Sequence, residues 1–299
     1  MKTSLTPAHL AILAVAVIFG LHYSIAKSLM PDPLTPWQVT FIRLGGGALL
    51  FWILQIFFPK ERVVRRDFLK FALCGLLGFA LNIIFFYTGL NYTTPLNAAV
   101  IHVSTPIVVL ILAAFMIREP VTVRKMGGIV LGMIGALILI FWGRHREFGG
   151  NTALGNLLVI LNMVTYALYL VILKPLTTRY HTVTILKWSS LFGFLFVIPV
   201  SIPSMLEFSI AHFTWYTWSA IAYIIFLTTF VVYFLINYAL KTISPTVVSY
   251  IAYLQPILAA ATSISAGMER ITVPKVVAAL MIFAGVWLVT RKGSRKLGH

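Results

Sequence analysis

Along this 299-residue chain, apolar runs of about twenty residues, the length a helix needs to cross about 30 Å of hydrocarbon, alternate with short polar or helix-breaking connections. Lipid offers backbone polar groups no partner, so such runs must become helices or a closed barrel. They lie at roughly 8–29, 36–58, 68–90, 95–116, 125–142, 153–173, 183–203, 214–237, 245–266 and 274–291. That is too long for barrel strands, which take about 9–11 residues of alternating polarity. Pro31-Asp32-Pro33, Pro59-Lys60-Glu61, Gly149-Gly150-Asn151 and Ser244-Pro245 supply the breaks. The third and fourth spans, and the eighth and ninth, are so closely linked that each pair must form an antiparallel hairpin. The fold class expected is an all-α integral membrane protein with ten transmembrane helices.

Charge sets the orientation. Only 10% of the residues are charged and the net charge is +16, against about 25% charged in a soluble domain. The basic residues are spread between the apolar runs rather than gathered into a nucleic-acid-binding patch. With the N-terminus inside, seventeen Lys and Arg fall on the cytoplasmic side and five on the other, with Arg43 inside a span. The positive-inside rule then puts both termini in the cytoplasm. Ala14-Val15-Ala16 could be misread as a signal-peptide cleavage site, but the apolar run before it is too short and continues past it. One cysteine cannot form an internal disulfide.

The chain repeats itself. At an ungapped shift of 150 residues, Leu90, Pro95, Ile101, Pro106, Ile107, Glu119, Thr122, Val123, Lys125 and Gly135 recur as Leu240, Pro245, Ile251, Pro256, Ile257, Glu269, Thr272, Val273, Lys275 and Gly285. Five spans per copy force the second copy to enter the membrane from the opposite face, giving two inverted five-helix repeats over 1–146 and 147–299. Thr94–Ile140, with mid-helix Pro106, helix-end Glu119 and a glycine-rich next helix, resembles the EamA repeat of the drug/metabolite transporter superfamily. Residues 244–289 resemble its second copy, and Phe19–Lys27 is similar to its opening helix. The resemblance implies a cavity lined by helices 1–4 and 6–9, with helices 5 and 10 peripheral. It implies a location in the bacterial inner (plasma) membrane and a cargo of amino acids, other metabolites, sugars or drugs.

Polar groups inside the spans are the candidate binding residues. All seven carboxylates fall in connections or at span ends, which argues against a cation antiporter built on an intramembrane Glu. Arg43 is the one strong base within a span. It could hold a substrate carboxylate bidentately, bond backbone carbonyls near Gly45–Gly47, or snorkel to an interface. His22 and His102 are the proton-coupling candidates. Pro106 and Pro256 deprive the carbonyls of His102 and Ala252 of a donor, beside Thr105 and Gln255, so helices 4 and 9 are expected to kink there, as packing bends or as hinges. Asn162, Tyr166 and Tyr169 share one helix face, as do Thr229, Tyr233 and Asn237, and Thr246, Tyr250 and Tyr253. Asn82, Tyr87, Asn97 and Ser104 are the first-half counterparts. Cavity lining is preferred for the deep tyrosines, with interhelical hydrogen bonding as the alternative.

The expected function is a secondary transporter or exporter of small polar or amphipathic metabolites, with amino acids or related compounds leading. It would work by alternating access, with the helix 3–4 and 8–9 hairpins as gates. The partners expected are a small-molecule substrate and the lipid bilayer, with no nucleic acid. No cofactor, metal or catalytic residue is expected. Proton coupling, facilitated diffusion, and monomer versus homodimer stay open. The competing class is a membrane-embedded enzyme acting on a lipid or lipophilic substrate, for which His22 and His102 without a carboxylate are thin support.

Overall fold

A computed structural model of the chain describes residues 7–141, 152–250, 252–255, 257–258 and 272–290. The helices are α1 (Pro7–Ser28), α2 (Pro36–Phe57), α3 (Arg65–Tyr92), α4 (Pro95–His102), α5 (Thr105–Ile117), α6 (Val123–Phe141), α7 (Thr152–Thr177), α8 (Thr182–Leu206), α9 (Trp215–Thr242), α10 (Pro245–Ser249) and α11 (Val273–Thr290). No strand occurs among the described residues.

Local chemistry explains where several helices begin. The Thr35 hydroxyl accepts from the Gln38 backbone N–H at 3.3 Å, and the Gln38 side chain accepts from the Thr35 N–H at 2.9 Å. With Pro36 next, this satisfies donors that a helix start leaves orphaned. Thr214 and Thr217 repeat the arrangement before α9. The fourth span departs from its expected form. Instead of one helix kinked at Pro106, it is two helices, α4 and α5, and Pro106 sits in the first turn of α5. Proline's fixed φ suits a first turn and its missing N–H is not needed there, so it starts a helix rather than bending one. Pro256 and Ile251 lie outside the described residues.

α1, α2, α3, α7, α8 and α9 are long and apolar enough to cross a membrane, and α5 and part of α11 add shorter apolar helices. Their outer faces are apolar too: Leu10, Leu13, Val17 and Leu21 on α1, and Leu49, Trp52, Ile53 and Ile56 on α2, are exposed. A surface so rich in exposed large apolar side chains belongs against acyl chains. Polar side chains turn inward instead: Arg43, His22, Asn162, Thr228, Thr229 and Asn237 are all buried. This is a multi-pass membrane protein.

Residues 150 apart make matching contacts. α6 and α11 pack through glycines. A Cβ on Gly128 would lie 2.7 Å from the Gly285 carbonyl oxygen, and one on Gly135 would lie 2.7 Å from that of Ala278. Since Ala278 and Gly285 stand 150 residues after Gly128 and Gly135, these are one contact with its partners exchanged. α3 and α9 each widen into π-type turns, at Gly75–Ala80 and Tyr223–Val231, which overlap under the same shift.

Candidate functional site

A cavity of about 80 Å³, partly open, lies among the helices. α1 contributes Phe19, His22 and Tyr23, α2 contributes Arg43, and α3 contributes Asn82 and Phe86. His102 and Thr105 flank the α4–α5 break. α7 adds Asn162, Met163 and Tyr166, α9 adds Tyr233, and the ninth span adds Ser249, Ala252 and Gln255. The seventh span, α8, is absent from this wall, although the resemblance implied it; Gly193 of α8 packs against Phe79 of α3 instead.

Arg43, on α2, is held by three other helices, α1, α3 and α9. Its Nε donates to the Thr229 hydroxyl at 2.9 Å, and Nη1 donates to the Tyr87 hydroxyl at 3.1 Å and to His22 Nε2 at 3.3 Å. Nη2 donates to the Thr228 carbonyl at 3.2 Å. In a π-type turn each N–H reaches the carbonyl five residues back. In α9 the Thr228 carbonyl lies inside such a turn and accepts from Arg43. In α3 the position 150 residues earlier is Gly78, whose carbonyl accepts from the Tyr233 hydroxyl at 2.6 Å. A bidentate grip on a carboxylate would therefore require Arg43 to release one of its protein partners. The guanidinium also fixes its neighbour. Arginine only donates, so His22 Nε2 must accept and the neutral ring carries its proton on Nδ1, which has no partner among the described residues.

A second network crosses the cavity. His102 Nε2 donates to Asn162 Oδ1 at 2.7 Å, because the Asn162 amide nitrogen is already donating to the Asn82 carbonyl. The Tyr23 hydroxyl sits between His102 Nδ1 and the Gln255 side-chain oxygen, the latter at 3.1 Å. One hydroxyl proton cannot serve both. Either Tyr23 donates to neutral His102 and takes an N–H from a flipped Gln255 amide, or His102 is an imidazolium and Tyr23 donates to Gln255. The Phe86 ring lies nearly parallel to both imidazoles, 5.3 Å from His22 and 6.3 Å from His102.

Four of the expected binding residues lie off the cavity wall. Tyr87 stands behind Arg43. Tyr169 is fully buried against Gly78 and accepts from the Asn237 amide at 3.3 Å; the same amide donates to the Tyr233 carbonyl. Tyr253 faces the fifth span, its ring on Gly132 and its hydroxyl donating to the Ile129 carbonyl at 3.0 Å. Conversely Phe19, Tyr23, Phe86, Met163 and Ser249 reach the cavity without having been expected to bind substrate, as does Ala252, noted only for its carbonyl. Tyr23 was traceable, since it lies beside His22 and within one turn of Phe19; the apolar ones carry no signal that separates a cavity wall from core.

The cavity holds the buried Arg43 guanidinium and no acid among the described residues. Of the described carboxylates, Asp67 accepts from Lys70, Tyr180 and Arg179, Glu119 pairs with Lys125 at 2.7 Å, and Glu61 accepts the His181 backbone N–H. No described carboxylate lines the cavity, and no described group of three His, Cys, Asp or Glu is placed to hold a metal ion. Such a cavity can bind an anion or zwitterion and offer hydroxyl, amide and imidazole hydrogen bonds beside aromatic walls.

Residues 6–141 and 153–291 both match the EamA-like transporter family. The chain is 27% identical over 293 residues to YyaM, an uncharacterized transporter of Bacillus subtilis (strain 168), covering 93% of this chain and 92% of that one. It is 27% identical over 150 residues to an S-adenosylmethionine/S-adenosylhomocysteine transporter of Chlamydia muridarum, about half of each chain (49% and 47%). A solved crystal structure aligns with a TM-score of 0.74 over 97% of both chains at 15% identity, a likeness of fold alone.

Proposed function

The chain belongs to the EamA-like transporter family, and we propose that it carries a small carboxylate-bearing metabolite, an amino acid or a related compound, across the bacterial inner membrane by alternating access. The observation behind the cargo is the buried Arg43 charge, which no described carboxylate offsets. Burying an uncompensated cation in a membrane is costly, and an anionic group on the substrate would offset that cost when it binds. S-adenosylmethionine, named for the chlamydial relatives, carries such a carboxylate and is one of the first solutes to try.

The architecture proposed is ten helices in two inverted five-helix repeats, 1–146 and 147–299, with both termini cytoplasmic. The exchanged Gly128–Gly285 and Gly135–Ala278 contacts support it, as do the filled carbonyls of Gly78 and Thr228. His22, Arg43, Asn82, His102, Thr105, Asn162, Tyr166, Tyr233 and Gln255 would contact substrate. Tyr87, Tyr169 and Asn237 would hold the wall from behind, and Pro106 and Pro256 would mark hinges. The two proton arrangements around Tyr23 make His102 the group through which proton coupling would work. Oligomeric state does not enter the proposal.

The test is uptake into proteoliposomes over a panel of amino acids, S-adenosylmethionine, nucleobases and sugars, with the products analysed. Saturable, time-dependent accumulation of an unchanged carboxylate-bearing solute is expected. Chemical turnover of a panel member without flux would replace the proposal with an enzyme.

A further inference from the structure

Two lysines perform one task at opposite ends of the bundle. Lys27, at the end of α1, donates to the carbonyls of Leu90, Asn91 and Thr93 at 2.8, 3.1 and 3.5 Å. These carbonyls close α3 just before the turn into α4. Lys174, near the end of α7, donates to the carbonyls of Leu240 and Ile243, the second at 2.9 Å. These close α9 just before the turn into α10. Leu240 and Ile243 stand 150 residues after Leu90 and Thr93, so the acceptors are repeat mates, and the donors stand at the ends of the first and sixth spans. The Thr93 turn packs on Gly155 at the start of α7. Lys174 lies nineteen residues further along that helix, about 28 Å away at 1.5 Å per residue.

The chemistry suits a bond that must be made and broken. The last carbonyls of a helix lack intrahelical partners and carry its negative dipole end, so an ammonium is held there without a carboxylate. Among the described residues neither lysine pairs with an acid. Glu119 is near enough to act on Lys174 electrostatically and keeps one buried carboxylate oxygen unpartnered, so it offers the ammonium a second resting place. Its repeat mate Glu269 lies outside the described residues.

We propose that Lys27 and Lys174 are paired positioning residues of the transport cycle, latching the α3–α4 hairpin on one face and the α9–α10 hairpin on the other. This rests on the transport reading above. Release of one latch frees one hairpin and opens the cavity to that face alone.

The test places a single cysteine on the cavity wall, Ser249→Cys with Cys74→Ala, and labels it with a membrane-impermeant maleimide in right-side-out and inside-out vesicles. Lys27→Met keeps the aliphatic stem but removes the charge. It is expected to raise labelling about two- to fivefold, the range a helix-end cation supplies, from the Lys27 face only. Lys174→Met should do the same from the opposite face only. Lys→Arg at either site should restore the parent pattern, and Lys→Gln serves as the second variant if Met fails to insert. Unchanged labelling in both variants, or a rise on the same face for both, overturns the latches. If the unmodified protein carries some panel solute but the labelling does not move, the latches fall and transport stands. If no panel solute is carried, the transport reading fails first.

Discussion

Asn82 and Asn162 hold each other reciprocally across the cavity wall: each side-chain amide donates to the other's backbone carbonyl, at 3.0 and 2.7 Å. The pair ties α3 to α7 and leaves Asn162 Oδ1 free to accept from His102. One residue thus joins helix packing to the binding surface, and in lipid no water would replace what it supplies.

Asn162→Ala should therefore leave the Asn82 backbone carbonyl and the His102 N–H without their partners together. Interhelical hydrogen bonds in membranes contribute about 0.6–2 kcal/mol each, so a loss of about 1–3 kcal/mol is expected. Unfolding in detergent micelles measures it. Asn82→Ala removes one bond but leaves His102 paired, and should cost less.

The tautomer of His22 gives an isostere test. An Asn amide nitrogen occupies the place of His Nδ1, and a Gln amide nitrogen that of Nε2. Because Arg43 makes Nε2 the acceptor, His22→Asn should keep the affinity for a carboxylate-bearing ligand within about threefold. His22→Gln should lose about tenfold, the scale of one charge-assisted hydrogen bond. Ligand-induced shifts in melting temperature report both. Equal losses would show that Nδ1 takes no part.

Arg43→Lys should behave almost as badly as Arg43→Gln. One ammonium cannot reach Thr229, Tyr87, His22 and the Thr228 carbonyl at once, which the planar guanidinium does. Either variant should weaken carboxylate-bearing ligands at least about tenfold while sparing neutral ones. Equilibrium binding to matched acid and amide ligands checks this.

Adjacent glycines provide a packing control. A Cβ on Gly128 would meet the Gly285 carbonyl oxygen at 2.7 Å, whereas one on Gly127 meets nothing within 4 Å. Gly128→Ala should destabilise by about 1–3 kcal/mol through overpacking, and Gly127→Ala should be neutral or slightly stabilising. Neither should change ligand affinity, since α6 and α11 contribute no described residue to the cavity.

How much of this could be read from the sequence varies with the physics behind each feature. The long spans were legible because hydrocarbon thickness imposes a length. The polar residues on the cavity wall were legible because a polar side chain inside an apolar helix must find a partner. What resisted was choosing that partner. Tyr253 shares its helical stripe with Thr246 and Tyr250, yet it bonds α6, since periodicity identifies a face but not the neighbour it meets. Pro106 reads as a mid-helix residue because Val103 and Ser104 carry no strong breaker signal; only in three dimensions is it a helix start. The π-type turns of α3 and α9 leave no residue pattern at all, so Arg43 could not be matched beforehand to the Thr228 carbonyl. Lys27 and Lys174 carried no signal of a site in the sequence, because their acceptors are backbone atoms distant in sequence.

Alternating access requires one cavity, reached in turn from two faces. Counterflow tests that requirement most directly. Proteoliposomes preloaded with an excess of an unlabelled panel solute are placed in a trace of the labelled one. A carrier that exposes one site to each face in turn should accumulate label transiently above its external concentration, and Arg43→Gln should abolish the overshoot. A monotonic approach to equilibrium that is indifferent to the preload would contradict alternating access.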